Sequence, residues 1–226
     1  MRIFIGHDTR YEDASSVCRQ SIIENSSPNE HKITYLHKEK LKNAGVYGRA
    51  DVEGESTEFS FTRFYAPLTA NFTGTIMFCD QDFVWLCNPS EILDTLDMSK
   101  PVHCVKHEIN SDDIQTTKMN NQVNKVYPKK FWSSLIIWTD PTAFKHITKE
   151  SLDGASAKAL HQFQWVNPKQ LGSIDKKYNY LVGYYNDNNY KALHYTQGGP
   201  WLPNYENCEH ADKWHQVYSR IPKINQ

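Results

Sequence analysis

The sequence predicts an α/β fold with a mixed, mostly parallel central sheet flanked by helices. Residues 2–6 and 33–36 have the composition of short strands, and residues 13–23 between them repeat apolar side chains at helical spacing. This β-α-β order is typical of a parallel sheet with right-handed crossovers. A further apolar run, Ile76–Cys79, follows Gly74 and has the pattern of a strand buried on both faces.

The remaining elements extend the same fold along the chain. We expect helices over residues 59–70, 89–96, 151–165 and 208–221, and strands over residues 102–107, 131–138 and 191–196. Residues 38–58 are polar and contain three glycines, which predicts an irregular loop. Residues 110–130 are also polar and lack periodicity, so they form either a disordered excursion or a loop over a substrate.

The composition is that of a globular protein without a strong charge. The chain has 226 residues, of which 39% are hydrophobic and 13% aromatic, and a net charge of -1. These values suit a single domain over residues 1–226 with a full core. The near-neutral charge gives no reason to expect nucleic acid or an anionic membrane as a partner. No apolar run approaches the roughly 20 residues of a transmembrane segment.

The first residues and the cysteines predict a soluble, cytoplasmic protein. The first strand begins at Arg2, so we expect no signal peptide. The five cysteines are an odd number without a C-x-x-C pair. This pattern is typical of free thiols in a reducing compartment.

Two carboxylates, Asp80 and Asp82, follow the buried strand Ile76–Cys79. In open α/β sheets, ligands bind in the crevice beyond the carboxyl ends of the strands. A hard divalent cation prefers oxygen ligands and keeps coordination positions for water or substrate phosphates. From the residues alone, the pair is therefore either a metal site or a solvated turn.

Three stretches of the chain together resemble a known family. They are Cys79-Asp-Gln-Asp82, Ser60-Phe-Thr-Arg63 on the preceding helix, and His194-Tyr-Thr-Gln-Gly-Gly-Pro-Trp201. In this order they resemble nucleotide-sugar glycosyltransferases with the GT-A fold and are nearest to glycosyltransferase family 8. The GT-A fold is a single Rossmann-like domain. The resemblance runs from residue 3 to about residue 201. The chain is also similar to small glycosyltransferases of large DNA viruses and phages.

The resemblance implies a metal-dependent transfer of a sugar. Asp80, Asp82 and His194 would hold Mn²⁺, with Mg²⁺ as the other candidate, and the metal would hold the diphosphate of a UDP-sugar donor. The acceptor would be a hydroxyl of a glycan or glycoconjugate, and the enzyme a hexosyltransferase (EC 2.4). An imidazole among carboxylate ligands shifts the preference toward Mn²⁺. We expect the strands before Asp82 and His194 to belong to one mixed sheet, so that their carboxyl ends meet at one crevice.

The same resemblance assigns further residues to the donor. The implied nucleotide-sugar contacts come from His7, Asp8, Arg10, Arg63, Asp80, Gln81, Gly198 and Gly199. The glycines lack side chains, so their backbone amides could approach the phosphates closely. Gln162 and Asp82 would act in catalysis. Structural alternatives stay open: Asp8 suits a helix cap, Arg63 an ion pair, and Gln162 a surface helix.

Two positions depart from the family pattern. A lysine usually precedes the Pro-Trp pair and touches the diphosphate, whereas Gly199 stands there in a motif one residue shorter. His161 stands where an aspartate usually precedes the helix glutamine, here Gln162. These departures leave the donor-sugar contact and the sugar preference open.

The stereochemical outcome is also open. A retaining reaction would place Gln162 near the anomeric carbon. An inverting reaction needs a carboxylate base, for which the candidates are Asp112, Asp113, Asp140 and Asp153.

Two other classes of protein compete with a glycosyltransferase. Asp80-Gln-Asp-Phe-Val84 also fits the signature of haloacid-dehalogenase-like phosphatases, in which the first aspartate is a nucleophile. That signature normally follows the first strand of the core and needs a later Gly-Asp-x-x-x-Asp motif, which this sequence lacks. The other alternative is a non-catalytic module that binds a nucleotide-sugar.

Overall fold

A computed structural model of the chain describes residues 1–51, 55–109, 117–118, 122–123 and 127–222. Its strands are β1 (Arg2–His7), β2 (Lys32–His37), β3 (Ile76–Cys79), β4 (Phe83–Trp85), β5 (Val102–Cys104), β6 (Thr117–Lys118), β7 (Gln122–Val123), β8 (Leu135–Trp138), β9 (Leu171–Ser173), β10 (Tyr180–Leu181) and β11 (Ala192–His194). Its α-helices are α1 (Glu12–Glu24), α2 (Lys38–Asn43), α3 (Ala66–Thr69), α4 (Lys149–Gly154), α5 (Ala157–His161) and α6 (Ala211–Tyr218). The connections include the 3₁₀ helices Thr62–Tyr65, Pro89–Thr95, Trp132–Ser134 and Lys176–Asn179.

Six strands form the central sheet, in the order β2-β1-β3-β8-β5-β9. All neighbours pair in parallel except β8, which runs antiparallel to both β3 and β5. Successive side chains of a strand point to opposite faces, so Phe4 packs into one apolar cluster while Ile3 and Ile5 pack into another. The predicted α/β fold with a mixed, mostly parallel sheet is thereby confirmed.

The beginning of the chain and the third strand follow their sequence patterns. α1 connects the parallel strands β1 and β2 and buries the side predicted from its spacing, which includes Ala14, Val17, Cys18 and Ile22. β3 is buried along its whole length, as its unbroken apolar run predicts. Its carboxyl end therefore leads directly from the core to the edge of the sheet where ligands are expected.

A second, smaller sheet lies beside the first and was not predicted. Its strand order is β10-β11-β4, with β11 antiparallel to β4 and parallel to β10. The expectation that the strands before Asp82 and His194 share one sheet is therefore wrong. The physical reason is the short turn at residues 80–82, after which the chain leaves the central sheet and continues as β4 of the smaller one.

Several predicted elements are shorter than expected. The predicted loop 38–58 begins with α2, and the predicted helix 59–70 consists of a 3₁₀ helix followed by α3. The predicted strands 102–107, 131–138 and 191–196 are confirmed only in part: β5 covers the first half of its range, β8 the second half and β11 the middle. The predicted helix 208–221 is present as α6.

The predicted helix 151–165 is divided into α4 and α5. Gly154 is the last residue of α4, and glycine is a weak helix former. Ser156 then caps α5, because its hydroxyl accepts a 3.0 Å hydrogen bond from the backbone amide of Ala159. The sequence thus contains a stop and a start signal inside the predicted helix.

Most of residues 110–130, where we predicted a disordered excursion or a substrate loop, lies outside the described residues. The described part contains β6 and β7, which pair antiparallel. Across the ranges described above, none of the helices combines the length and the apolar character needed to cross a membrane.

Candidate active site

The turn between β3 and β4 is held from two sides. Asp80, Gln81 and Asp82 are all buried. The backbone amide of Asp80 donates a 2.9 Å hydrogen bond to the carbonyl of Ser134. The backbone amide of Asp8 donates to Gln81 Oε1 at 2.8 Å. Because β1 and β8 are the two neighbours of β3, these bonds fix the turn to the residue after β1 and the residue before β8.

His194 reaches this turn through the smaller sheet. In the antiparallel ladder of β4 and β11, His194 lies opposite Phe83, and their rings stack with centroids 4.5 Å apart. The backbone amide of Tyr195 continues the pairing with a 3.0 Å bond to the carbonyl of Asp82. As a result, His194 Nε2 lies 3.3 Å from Asp82 Oδ1.

The side chains of Asp80, Asp82 and His194 converge in the interior. Each offers one ligand atom, these atoms lie within 4.8 Å of one another, and all three side chains are buried. His194 Nε2 has no hydrogen-bond partner in the part of the chain that the structure describes. Two carboxylates and one imidazole are a donor set that suits Mg²⁺ or Mn²⁺, and the nitrogen ligand favours Mn²⁺. The three residues therefore fit a divalent cation.

Arg63 supports one of these carboxylates. Its Nη1 lies 3.0 Å from Asp80 Oδ1 and donates a 2.9 Å hydrogen bond to the carbonyl of Ser133. Its guanidinium carbon lies 5.5 Å from the ring centroid of Phe59 and 5.2 Å from that of Phe78. Arg63 is itself buried, so it holds Asp80 at the carboxyl end of β3 and does not project into solvent.

The three candidate metal ligands and Arg63 line one cleft. Its volume is about 630 Å³, which includes space open to solvent. Hydroxyl side chains contribute much of its wall: Ser56, Thr57, Ser60, Ser133, Ser134 and Thr196. Lys130 and His161 line it as well. A concave site lined by so many hydroxyl groups suits a small, highly hydroxylated ligand.

Lys130 reaches the cleft from a turn with unusual backbone conformation. The residues on either side of it, Lys129 and Phe131, have φ angles of 61° and 69°. This left-handed conformation costs a residue with a side chain roughly 1 to 2 kcal/mol. The turn is closed by the hydroxyl of Ser134, which donates to the carbonyl of Phe131 at 2.6 Å. Lys130 is buried, with its Nζ 5.0 Å from the centre of the Tyr127 ring.

Asp8 and Arg10, both predicted to contact the nucleotide, are paired with each other. Arg10 donates from Nε to Asp8 Oδ1 at 2.8 Å and from Nη2 to Oδ2 at 2.5 Å. The backbone amide of Glu58 adds a 3.2 Å bond to Asp8 Oδ2. Asp8 is completely buried and caps the 3₁₀ helix that follows it. The structural alternative for Asp8 is thus present, and neither residue lines the cleft.

His7 and Gln81 are likewise not part of the cleft wall. His7 Nδ1 is 3.0 Å from the hydroxyl of Ser15. Burial, together with the neighbouring His37, lowers the pKa of His7. Gln81 is occupied by its hydrogen bond from Asp8. Their contact with a nucleotide stays a prediction.

Gln162 lies at the end of α5 and is not part of the cleft wall. Its carbonyl accepts a 2.8 Å hydrogen bond from Lys129 Nζ. The preceding residue, His161, is the one that lines the cleft, and its Nδ1 lies 3.0 Å from the hydroxyl of Ser133. The structure therefore brings His161, the residue that differs from the family motif, to the cleft. The catalytic role of Gln162 stays a prediction.

Gly198 and Gly199 are needed for packing. Gly198 has a φ of 136°, and a Cβ there would lie 2.9 Å from the ring of Tyr205. A Cβ on Gly199 would lie 2.1 Å from the ring of Trp201. Neither glycine lines the cleft, whereas the nearby Thr196 does. Close packing of two aromatic rings therefore gives a structural reason for both glycines, and their contact with phosphates stays a prediction.

Sequence reasoning missed several residues at this site. Ser133 and Ser134 hold Arg63 and the backbone of Asp80, and their signal was only two small polar residues before an apolar strand. Lys130 and Asn179 belong to no recognised motif. Asn179 is fully buried, and its Oδ1 lies 2.8 Å from His194 Nδ1.

Comparison with solved structures places this arrangement in a known fold. The chain aligns with WbbM, a bifunctional glycosyltransferase, at a TM-score of 0.69 and 15% identity, over 98% of this chain and 50% of that one. This chain thus spans half the length of WbbM. An active-site mutant of LgtC aligns at a TM-score of 0.62 and 10% identity, over 100% of this chain and 98% of that one. A glycosyltransferase involved in glycosylation of the major capsid of PBCV-1 aligns at 0.50 and 13% identity, over 96% and 98%.

One curated protein gives a much stronger match in sequence. Protein CDI of Arabidopsis thaliana is 38% identical over 232 residues, which covers 99% of this chain and 88% of that protein. No family model matches the chain. The resemblance to GT-A glycosyltransferases is confirmed by the solved structures at the level of the fold. The chain therefore has the GT-A glycosyltransferase fold and belongs to the family of Arabidopsis thaliana Protein CDI.

Proposed function

We propose that the protein is a divalent-metal-dependent glycosyltransferase that transfers a sugar from a UDP-sugar to a hydroxyl of a glycan or glycoconjugate. The observation that carries this proposal is the buried cluster of Asp80, Asp82 and His194, in a protein with the GT-A fold. The choice of uridine and of a hexosyltransferase rests on the resemblance to family 8. The choice of Mn²⁺ over Mg²⁺ rests on the imidazole ligand.

The charges of the cleft support a diphosphate as the leaving group. When bound, a divalent cation supplies a Lewis acid that neutralises the charge developing on the diphosphate. Arg63 is engaged by Asp80 and by the carbonyl of Ser133. In addition to Arg63, Lys130 is a buried cation in the wall of the same cleft, and we propose that it also contacts the diphosphate.

The polar wall supports a sugar as the transferred group. Hydroxyl side chains such as Ser60, Ser133 and Thr196 can donate and accept hydrogen bonds with the hydroxyls of a sugar. His161 faces the same cleft, so we propose that it contacts the donor sugar. Asp82 and Gln162, the latter next to His161 in the sequence, remain the proposed catalytic residues.

The contacts of His7, Asp8, Arg10, Gln81, Gly198 and Gly199 with the nucleotide remain part of the same proposal. They come from the resemblance, and in the structure these residues also make contacts within the protein. A binding role would require the Asp8–Arg10 pair to meet the nucleotide as a unit, because the two side chains are joined by two hydrogen bonds.

The phosphatase alternative is less well supported. A nucleophilic Asp80 would need a carboxylate directed at a substrate phosphate. Here Asp80 Oδ1 lies 3.0 Å from buried Arg63, and the motif follows the third strand in chain order. No observation favours this class over a transferase.

Turnover of nucleotide-sugars tests the proposed function. The protein should release the nucleoside diphosphate slowly from a matching donor in Mn²⁺, more slowly in Mg²⁺, and not in EDTA. Asp82→Asn should abolish the release, whereas Asp97→Asn, at an exposed turn, should not change it. Hydrolysis of p-nitrophenyl phosphate instead would show a phosphatase, and binding of UDP without turnover of any donor would show a binding module.

We also propose a cytoplasmic location, as the sequence predicts. All five cysteines are free thiols in the structure, including the buried neighbours Cys18 and Cys79, whose sulfur atoms are 3.9 Å apart. Cell fractionation would test this, and recovery of the protein in an oxidising compartment would contradict it.

A further inference from the structure

A continuous chain of buried hydrogen bonds ends on the candidate metal ligand His194. It begins at the carbonyl of Phe131, which lies 2.6 Å from the hydroxyl of Ser134. Ser134 Oγ lies 2.9 Å from Asn179 Nδ2, and Asn179 Oδ1 lies 2.8 Å from His194 Nδ1. Asn179 and His194 are at most 1% exposed and Ser134 is 2% exposed, so water does not compete for these bonds.

The carbonyl of Phe131 determines which group donates and which accepts in every bond of this hydrogen-bonded chain. A carbonyl oxygen only accepts, so the hydroxyl of Ser134 donates to Phe131 and its oxygen is left to accept. The group of Asn179 that faces Ser134 must then be the NH₂, and the group that faces His194 must be the carbonyl oxygen. That oxygen only accepts, so the hydrogen of the neutral imidazole ring lies on Nδ1.

The other ring nitrogen is then available as a ligand. With the hydrogen on Nδ1, the neutral ring carries a lone pair on Nε2, the atom that lies 3.3 Å from Asp82 Oδ1. The stacked ring of Phe83, 4.5 Å away, fixes the plane in which this lone pair lies. A metal-binding histidine needs this combination of a defined tautomer and a fixed ring plane.

Ser134 connects both sides of the cluster. Its hydroxyl belongs to the chain that ends on His194, while its carbonyl accepts the backbone amide of Asp80 at 2.9 Å. Asn179 is equally well placed, because it directly precedes β10, which pairs with the strand that ends in His194. One small residue and one amide therefore set the relative position of two ligands from different sheets.

We infer that Asn179 and Ser134 are positioning residues that keep the hydrogen of His194 on Nδ1 and present its Nε2 lone pair to a divalent cation beside Asp82. The role as metal ligand rests on the proposed function, whereas the tautomer does not. The test therefore measures the tautomer without metal and the affinity for the metal alone, and it does not depend on turnover.

The tautomer is read by two-bond ¹H–¹⁵N correlation spectra of metal-free protein labelled with ¹⁵N-histidine. The signals of His194 are identified by their loss in His194→Gln, and spectra are recorded over a range of pH values up to about 9.5. We expect hydrogen on Nδ1 and none on Nε2 in the parent protein. We expect hydrogen on both nitrogens in exchange, or on Nε2, in Asn179→Leu, which removes the acceptor. Hydrogen on Nε2 of the parent at the highest pH would overturn the inference.

Metal affinity is measured by electron paramagnetic resonance of free Mn²⁺, with no nucleotide present. Loss of a group that orients a ligand typically costs 10- to 100-fold in metal affinity, which is the loss we expect for Asn179→Leu. Asn179→Asp keeps an acceptor for Nδ1–H and should retain both the tautomer and most of the affinity. Ser134→Ala should show a smaller loss, because the amide of Asn179 can then rotate.

A purely structural role gives a different pattern. Asn25→Leu is the matched control, because Asn25 donates to the carbonyls of Ser21 in α1 and of Trp85, the last residue of β4. This variant should lose thermal stability but keep the affinity for Mn²⁺ and the tautomer. Equal Mn²⁺ affinity in Asn179→Leu and the parent would overturn the positioning role. A parent that binds no Mn²⁺ but shows the predicted tautomer would instead contradict the proposed metal dependence.

Discussion

Arg63 Nη1 lies 3.0 Å from Asp80 Oδ1, and both side chains are largely removed from solvent. Since breaking a buried pair leaves an uncompensated charge, Arg63→Met should lower the free energy of unfolding by about 3 kcal/mol. In a double-mutant cycle, Asp80→Asn should recover part of this loss, because it removes the charge that Arg63 neutralises. Urea unfolding of the three variants measures both quantities.

The control for this pair lies on the surface. Lys176→Met breaks the ion pair of Lys176 with Asp187, whose side chains are 47% and 39% exposed. It should change the unfolding free energy little, because exposed pairs contribute little. If Arg63→Met were as mild as this control, Arg63 would not be holding Asp80 in place.

Lys130 should bind the diphosphate of UDP and not its nucleoside. Lys130→Met should weaken the affinity for UDP in Mn²⁺ by roughly tenfold or more, since a hydrogen bond to a charged group contributes about 1.5 to 3 kcal/mol. The affinity for uridine should not change, because uridine has no phosphate. Isothermal titration calorimetry compares the two ligands, with Lys145→Met as an exposed control. An equal loss for uridine and UDP would show that Lys130 supports the fold of the cleft instead.

Gly199 should be required for packing against Trp201, in addition to its proposed contact with the diphosphate. Gly199→Ala places a Cβ 2.1 Å from the ring of Trp201, so it should cost about 1 to 3 kcal/mol of unfolding free energy. The double variant with Trp201→Leu should recover part of that cost, because the smaller side chain makes room. A stable Gly199→Ala protein with weakened binding of Mn²⁺ and UDP would support the close approach to phosphates that the sequence suggests.

His107 should make the protein sensitive to acid. It is buried, its Nδ1 lies 2.7 Å from the hydroxyl of Tyr185, and burial, with help from His194 and Lys176, lowers the pKa of His107 to about 3. In the unfolded chain a histidine has a pKa of about 6.5, so between these values the unfolded state binds the additional proton. Stability is therefore full above about pH 6.5 and falls as the pH decreases, by roughly 2 kcal/mol at pH 5.

Replacing His107 tests directly whether this residue makes the unfolding free energy fall as the pH decreases. His107→Gln should flatten the dependence of the unfolding free energy on pH between 5 and 7.5 by about 2 kcal/mol, whatever its effect at pH 7.5. Urea unfolding at several pH values supplies the comparison. An unchanged slope in the variant would mean that His107 is protonated in the folded protein or that other groups control the acid response.

Much of the central sheet was predictable because its strands carry strong local patterns. β1, α1, β2 and β3 each have an apolar period or run long enough to recognise, and their order implies parallel pairing. β4 and β10 have only three and two residues, too few to show a period, so the smaller sheet was missed. That omission also produced the wrong expectation that His194 reaches Asp82 within one sheet.

The candidate site was predictable where a motif named its residues. Asp80, Asp82 and His194 were recognised and do converge. Their support was not predictable, because Asn179, Ser134 and Lys130 are ordinary residue types whose neighbours come from distant parts of the chain. For Gly198 and Gly199 the sequence did not reveal the packing against aromatic rings, and their contact with phosphates stays a prediction.

The most direct test of the proposed site is the position of a bound metal. Crystals grown with Mn²⁺ and UDP, measured at the manganese absorption edge, give an anomalous difference map that locates the ion independently of any assay. We predict a peak within coordination distance of Asp80, Asp82 and His194 Nε2, with diphosphate oxygens on its open side. A peak elsewhere in the protein, or no peak at these three residues in crystals that contain UDP, would contradict the account.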